Sequence, residues 1–391
     1  MSSGALAGVR IVDVTQVMAG PFCTMLLADL GADVVKIEPP AGDMTRRMPG
    51  GVGHETPAYN AVNRGKRSVV LDIKTDAGRA AVLRLVESAD IFAENSRPGV
   101  MTDLGLGYAA LAARNPGLIY ASISGYGQTG PDRTKGGLDL IAQGVAGIMS
   151  VTGAADGPPM KSGIPLTDLG AALFAATGIL AALVHRGRTG QGQHVETSLV
   201  EAGVALSVWE ATEYFSGAGI PQPLGSAHRM VAPYQAIACA DGYVTIGASN
   251  NRLFERLCEA LGHPEWAALQ EFADNPSRVR HRAALAERIE SVTRHQPKRY
   301  WLEAFAARDI PCGPINSYDE VFADPQIVAR EMVVDVEHPT LGALRALGSP
   351  IKLSATPPAV RRRAPTLGEH TEDVLREAGF AEEEIAELSR R

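Results

Sequence analysis

The first 124 residues leave few folds open, because short β-rich runs and helical stretches alternate through them. "VRIVDVT" (9–15) reads as a buried strand, and Pro21 then opens the helix "PFCTMLLADLG", which Gly31 closes. "DVVKIE" (33–38), "SVVLDI" (68–73), "DIFAEN" (90–95) and "LIYASIS" (118–124) read as further strands. "DAGRAAVLRLVESA" and "YAALAARNPG" supply helices among them. Strand, helix, strand in this order implies a parallel sheet covered by helices on both faces.

The pattern then changes. The mostly apolar stretch 163–187 reads as one helix and 197–216 as another, with a strand-like start, "QHVETSL", between them. "GAGIPQPLGSAH" (217–228) has the Gly and Pro content of a crossover linker. "GYVTIGAS" reads as a strand, but the hundred or so residues after it are mainly helical. "MVVDVEHPTLG" (332–342) and "GSPIKLS" (348–354) read as strands, and the acidic C-terminal stretch as a helix pair. The expected class is α/β. Residues 1–216 and 330–391 form a large domain with a parallel sheet, and 217–329 supply linkers and a smaller α+β domain.

Charge and cysteine content narrow the partners. The net charge of −7 gives no general polyanion-binding surface, so nucleic acid is not expected as a partner. Four cysteines, widely spaced and without a CxxC pair, suggest neither zinc nor a redox dithiol. Few cysteines in so long a chain suit a reducing cytoplasm. The N-terminus lacks the basic start and apolar run of an export signal. The longest apolar stretch, 169–184, is shorter than a membrane span, so no membrane association is expected.

Familiar catalytic motifs are missing or out of place. "GLGYAA" (105–110) fits the dinucleotide fingerprint in letters, but it follows a loop-like stretch and lacks the acid about 20 residues on. No GxxxxGK[ST] loop exists, "GHETP" lacks the second His of a zinc motif, and "SISGYG" is not a GxSxG elbow. What remains is a carboxylate, Asp168, at the mouth of the helix 163–187. A helix cap and a nucleophile both suit it. Position alone leaves both readings open.

The chain resembles the class III CoA-transferases. The resemblance is carried in order by "GVRIVDVTQVMAGPFCTMLLADLGADVVKIEPPAGDMTR", "NRGKRSVVLDIKT", "ENSRPGVMTDLGLGY", "IYASISGYGQTGP", "SGIPLTDLGAALFAATGILAAL", "HRGRTGQGQHVETSL", "VAPYQAIACADGYVTIGA", "IPCGPINSYDEVFADPQ" and "LGEHTEDVL". It implies an interlocked homodimer, each chain a Rossmann-like large domain plus a small domain. It implies that Asp168, in "PLTDLG", is the nucleophile. An ordinary Asp, with a pKa of about 3.9, is ionised at neutral pH and needs no general base.

The resemblance also implies that acyl-CoA lies along the large domain. Gln16, Val17, Met18, Arg46, Leu71, Lys74, Asn95, Arg97, Met101 and Lys135 are then the CoA-binding candidates. Arg47, Arg64, Lys66 and Arg67 are further cations available to the CoA phosphates. Pro39 stands where the family usually has an Arg. The details "GSAH", "VAPYQA" and "VEHPTLG" look most like the subgroup that pairs succinyl-CoA with short dicarboxylates, succinate–hydroxymethylglutarate CoA-transferase among them. A second carboxylate calls for a cation, for which Arg46, His228 and Arg229 are the candidates.

The expected reaction moves CoA from an acyl-CoA to a small carboxylic acid through an aspartyl anhydride and an aspartyl-CoA thioester. No cofactor beyond coenzyme A as co-substrate, and no metal, is expected. Two alternatives are an α-methylacyl-CoA racemase-like isomerase and a catalytically silent acyl-CoA binding protein. The racemases pair their Asp with a His in a "GHD" segment; here that stretch is "GLD", with Leu138 in the His position.

Overall fold

Strand β1 (Arg10–Asp13) is flanked on both sides by parallel neighbours: Val12 pairs with Val35 of β2 (Asp33–Glu38) and with Phe92 of β4 (Ile91–Glu94). With β3 (Lys66–Val70), β5 (Ile119–Ser124) and β6 (His194–Ser198) the sheet runs β3-β2-β1-β4-β5-β6, parallel throughout. This is the doubly wound Rossmann order, in which the chain reverses direction between β1 and β4 and opens a crevice beyond the strand ends. The α/β, Rossmann-like expectation is met.

Alternate residues of each strand point to opposite faces. Ile11, Val34, Ile91 and Ile119 pack on one face with Leu27 of α1 (Ala19–Asp29). Val12, Val35, Phe92 and Tyr120 pack on the other with Val82 and Leu85. Val82 and Leu85 come from α3 (Asp76–Glu87), which follows the short α2 (Pro57–Asn63). Leu111 of α4 (Tyr108–Arg114) and Val374 of the C-terminal helix Thr371–Glu377 complete that layer. After α5 (Asp139–Val145) comes α6 (Leu166–Thr189), 24 residues long.

At about 1.5 Å per residue, α6 is long and apolar enough to cross a membrane, which corrects the shorter stretch expected from sequence. Its small residues instead pack Ala171, Ala172, Ala175 and Ile179 into the sheet core. Gly178 makes this approach possible: a Cβ there would stand 2.6 Å from Val195 Cγ1. The single helix expected over 197–216 is two, α7 (Leu199–Leu206) and α8 (Val208–Phe215). Ser207 interrupts them, its hydroxyl donating back to the Gly203 carbonyl.

The computed structural model describes residues 4–389 and divides into two units. The sheet belongs to the first, made of the chain through Ile148, Lys161–Ser216 and the chain from Pro325 onward. Met149–Met160 and Gly217–Asp324 form the second. There β7 (Tyr234–Cys239), β8 (Gly242–Gly247) and β9 (Cys312–Pro314) make an antiparallel sheet, and Phe254, Leu257, Trp301 and Phe305 from helices fill its core. Back in the first unit, β10 (Val333–His338) pairs with β11 (Gly342–Leu347), and the strand expected over 348–354 is absent. Gly342, at φ +71°, lets the chain reverse at once, and Pro350 has no N–H to offer a ladder.

Candidate active site

The segments after β1, β4 and β5 converge on the crevice beside β1 and β4, and together they line a cleft of about 310 Å³. Val14, Gln16, Val17, Met18 and Ala19 come from the turn between β1 and α1; Asn95 and Ser96 follow β4. Ile123 and Ser124 end β5 and Gly125 follows it, and Met44, Gly137, Leu138 and Leu199 close the walls. Asp168 is the sole ionisable side chain in that lining. A ligand crevice at the carboxyl ends of the strands, where strand order reverses, is what this topology provides.

Buried charges fix the β1–α1 turn. Lys36 donates to the Thr15 carbonyl at 2.8 Å and pairs with Asp43 at 3.0 Å. Asp43 in turn accepts from the Val17 N–H at 3.3 Å. Val17 sits at φ +71°, a left-handed conformation that costs a β-branched residue about 1–3 kcal/mol and persists only where the surroundings impose it. Asn95 holds the preceding residue, accepting from the Gln16 N–H and donating to its carbonyl.

Asp168 does not cap its helix. Pro165 is the N-cap of α6 and has no side chain able to cap, so Asp168 is the third helical residue. The capping acid comes from α5 instead. Asp139 Oδ1 accepts from the Thr167 N–H at 3.0 Å and from its hydroxyl at 2.7 Å. Asp139 Oδ2 accepts from Gln143 Nε2 at 2.7 Å, and Gln143 Oε1 accepts from the Ser162 N–H at 2.9 Å. Gly125 and Gly137 abut so closely that a Cβ on Gly137 would lie 2.3 Å from Gly125 Cα. Gly125, Gly137 and Leu138 all line the cleft.

Burial, then the neighbouring Asp139 charge, push the Asp168 carboxyl up from its ordinary 3.8 to about 6. At neutral pH it is still about nine-tenths ionised, and it is more basic than an ordinary Asp. The first-turn amides are largely taken: the Leu166 N–H reaches the Ile164 carbonyl and the Thr167 N–H reaches Asp139. The Asp168 N–H is the remaining first-turn donor.

Of the residues expected at the site, Gln16, Val17, Met18, Asn95 and Asp168 meet at the cleft. Arg46 does not, which corrects both roles expected for it. It is fully buried over the Tyr59 ring, bidentate to Glu38 and bonded to Glu55 and the Pro365 carbonyl. Leu71 and Met101 are core residues packed with Val82 and Leu85. Lys74 and Arg97 are exposed on loops following β3 and β4, and Lys135, also exposed, pairs with Asp132. Arg64, Lys66 and Arg67 are buried in ion pairs with Asp29, Asp13 and Asp33, while Arg47 is exposed.

His228 and Arg229 belong to the second unit. There Arg282 donates to both their carbonyls, and Asn275 bonds the Met230 carbonyl and the Ala232 N–H. Sequence reasoning missed Asp139 and Gln143. Their signal was an acid and an amide four residues apart on a helix, followed by a helix that starts at a proline.

The family described as CoA-transferase family III matches residues 6–371. A succinate–glutarate CoA-transferase from Agrobacterium fabrum is 40% identical over 95% of each chain. A succinyl-CoA:mesaconate CoA-transferase from Haloarcula hispanica is 42% identical, covering 96% of this chain and 97% of its own. A crystal structure of a CAIB/BAIF family protein from Brucella suis is 39% identical, covers 97% of this chain and 100% of its own, and superposes with a TM-score of 0.86.

Proposed function

The chain belongs to CoA-transferase family III and is an enzyme of the CoA-transferase class, and from that premise we propose that it moves CoA from succinyl-CoA to a short dicarboxylic acid through Asp168. The observation that carries the reading is the cleft itself: one carboxylate, made more basic than usual, is its only ionisable wall.

The Asp168 carboxylate attacks the thioester carbonyl, and the C–S bond breaks to give a mixed anhydride and CoA thiolate. The thiolate attacks the aspartyl carbonyl and expels succinate, leaving an aspartyl-CoA thioester. The acceptor carboxylate attacks that thioester, and the released thiolate attacks the acceptor's acyl carbon. Asp168 and a new acyl-CoA result. A thioester is exchanged for a thioester, so no ATP is needed. Coenzyme A enters as co-substrate, and the steps call on nothing else.

The relatives' names support the substrates: those described above act with succinyl-CoA or succinate and on glutarate or mesaconate. With Arg46 enclosed, Arg229 and His228 are the proposed partners of the acceptor's distal carboxylate. Lys74, Arg97 and Lys135 are the proposed partners of the CoA phosphates. A second copy is the proposed partner of the chain. Helix α8 buries none of its own residues, and Trp209, Tyr214, Phe215 and Val208 lie open on it, the kind of patch that marks an interface. Four unpaired cysteines suit the cytoplasm proposed as its compartment.

Trapping tests the mechanism. Native enzyme incubated with succinyl-CoA and then hydroxylamine acquires a modification at Asp168, visible by peptide mass. A modification elsewhere, or full activity in Asp168→Ala, overturns the reading. A panel of short dicarboxylates with succinyl-CoA then identifies the acceptor, and Arg229→Ala raises KM for dicarboxylates more than for monocarboxylates.

A further inference from the structure

The bond pattern around Asp139 puts an anion where, among the described residues, no cation answers it. Its oxygens are held only by neutral donors, the Thr167 amide and hydroxyl and the Gln143 amide, and both partners are fully buried. Thr167 directly precedes Asp168, so the grip that fixes Asp139 also fixes the first turn bearing Asp168. Among the described residues, no other charge answers Asp168. The loops after β1, β4 and β5 face it with neutral groups such as Gln16, Asn95 and Ser124, and the only acid in the first turn of α7, Glu201, accepts from the Ser198 hydroxyl at 2.6 Å.

Resting on the reading of Asp168 as the acylated residue, we propose that Asp139 is a positioning residue that drives Asp168 toward its neutral, acylated forms. A carboxylate beside a second, immobile carboxylate is raised in energy by like-charge repulsion. Converting Asp168 to an anhydride or to a thioester removes its charge as completely as protonation does. The repulsion is relieved in every covalent intermediate and restored only when Asp168 is set free. Burial is the larger cause of the raised Asp168 pKa, and the Asp139 charge adds to it the same repulsion read through a proton. Gln143 and Thr167 keep Asp139 from turning away.

Two linked readouts follow, and a merely structural role moves neither. In Asp139→Asn, which keeps an acceptor for Thr167, the acid midpoint of kcat/KM falls by roughly half a pH unit or more. The fraction of enzyme trapped by hydroxylamine during turnover falls by the same factor, roughly threefold per half unit. Asp139→Glu restores the native midpoint in part. Thr167→Val, which loses a hydroxyl donor but no charge, leaves the midpoint near the native value. If Asp139→Asn does not accumulate folded, Asp139→Ser carries the same expectations. A native midpoint and native trapping in the charge-removing variant overturn the proposal. Absence of any Asp168 adduct in the native enzyme instead overturns the reading beneath it.

Discussion

The Asn95 side-chain amide closes a two-bond ring on the main chain of Gln16, accepting from its N–H at 2.8 Å and donating to its carbonyl at 2.7 Å. The ring ties the end of β4 to the turn after β1, the two walls that meet where the strand order reverses. Asn95 reaches the cleft, but its polar atoms already hold the wall. Asn95→Ala therefore destabilises the fold by about 1–3 kcal/mol, the loss of two partly buried hydrogen bonds. It also raises KM for the acyl-CoA severalfold. Asn95→Asp does no better, because an oxygen then faces the Gln16 carbonyl. Urea unfolding and initial rates in succinyl-CoA check both.

Arg46 is a foundation of the same turn. Its guanidinium neutralises Glu38 and Glu55, and Glu38 also accepts from the Tyr59 and Ser68 hydroxyls and from the Asp43 N–H. Arg46→Ala strands buried carboxylates and costs about 3–5 kcal/mol. Because Arg46 does not line the cleft, whatever active enzyme remains discriminates dicarboxylates from monocarboxylates as the native chain does. A selective rise in KM for the dicarboxylate would contradict this.

The helix and strand pattern made the sheet legible before any coordinates, since strands buried on both faces read as continuous apolar runs. The place of Asp168 at the mouth of an apolar helix suited a cap as well as a nucleophile, and it was the family resemblance that pointed to the nucleophile. The cations were not legible. "DMTRR" and "NRGKRS" look like phosphate loops, but Arg46, Arg64 and Lys66 are turned inward by acids far away in sequence, such as Asp29 and Asp13. Local sequence does not record such partners. Asp139 was passed over because its significance lies in a bond to Thr167, 28 residues on. The break at Ser207 was hidden by residues that each tolerate a helix.

Leu138 separates this chain from a racemase on physical grounds. It lines the cleft with Asp168, 70% exposed, and its side chain has no atom that takes or gives a proton. One-base exchange at Asp168 alone cannot invert a centre efficiently. The native enzyme incubated with a chiral 2-methylacyl-CoA in deuterium oxide should incorporate no α-deuterium above the uncatalysed level. Incorporation at a rate matching CoA transfer would favour the isomerase reading.

A site tuned for reaction is expected to cost stability, and Asp168 gives that cost a pH signature. Its folded pKa of about 6 exceeds the ordinary 3.8, so the folded chain holds the proton more tightly than the unfolded one. Folding thus favours the protonated form over the ionised one. Below pH 3.8 the group imposes no penalty; the penalty grows as pH rises and is complete above about 6. A difference near two units corresponds to about 3 kcal/mol, which partial contact with solvent reduces to about 1–2 kcal/mol. Asp168→Asn should therefore be more stable than the native chain at pH 7 by about 1–2 kcal/mol, while losing turnover. The advantage should shrink steadily from pH 6 to pH 4. Thermal unfolding of both proteins at pH 4 and pH 7 reads it directly, and an advantage independent of pH would mean that the charge on Asp168 is not its source.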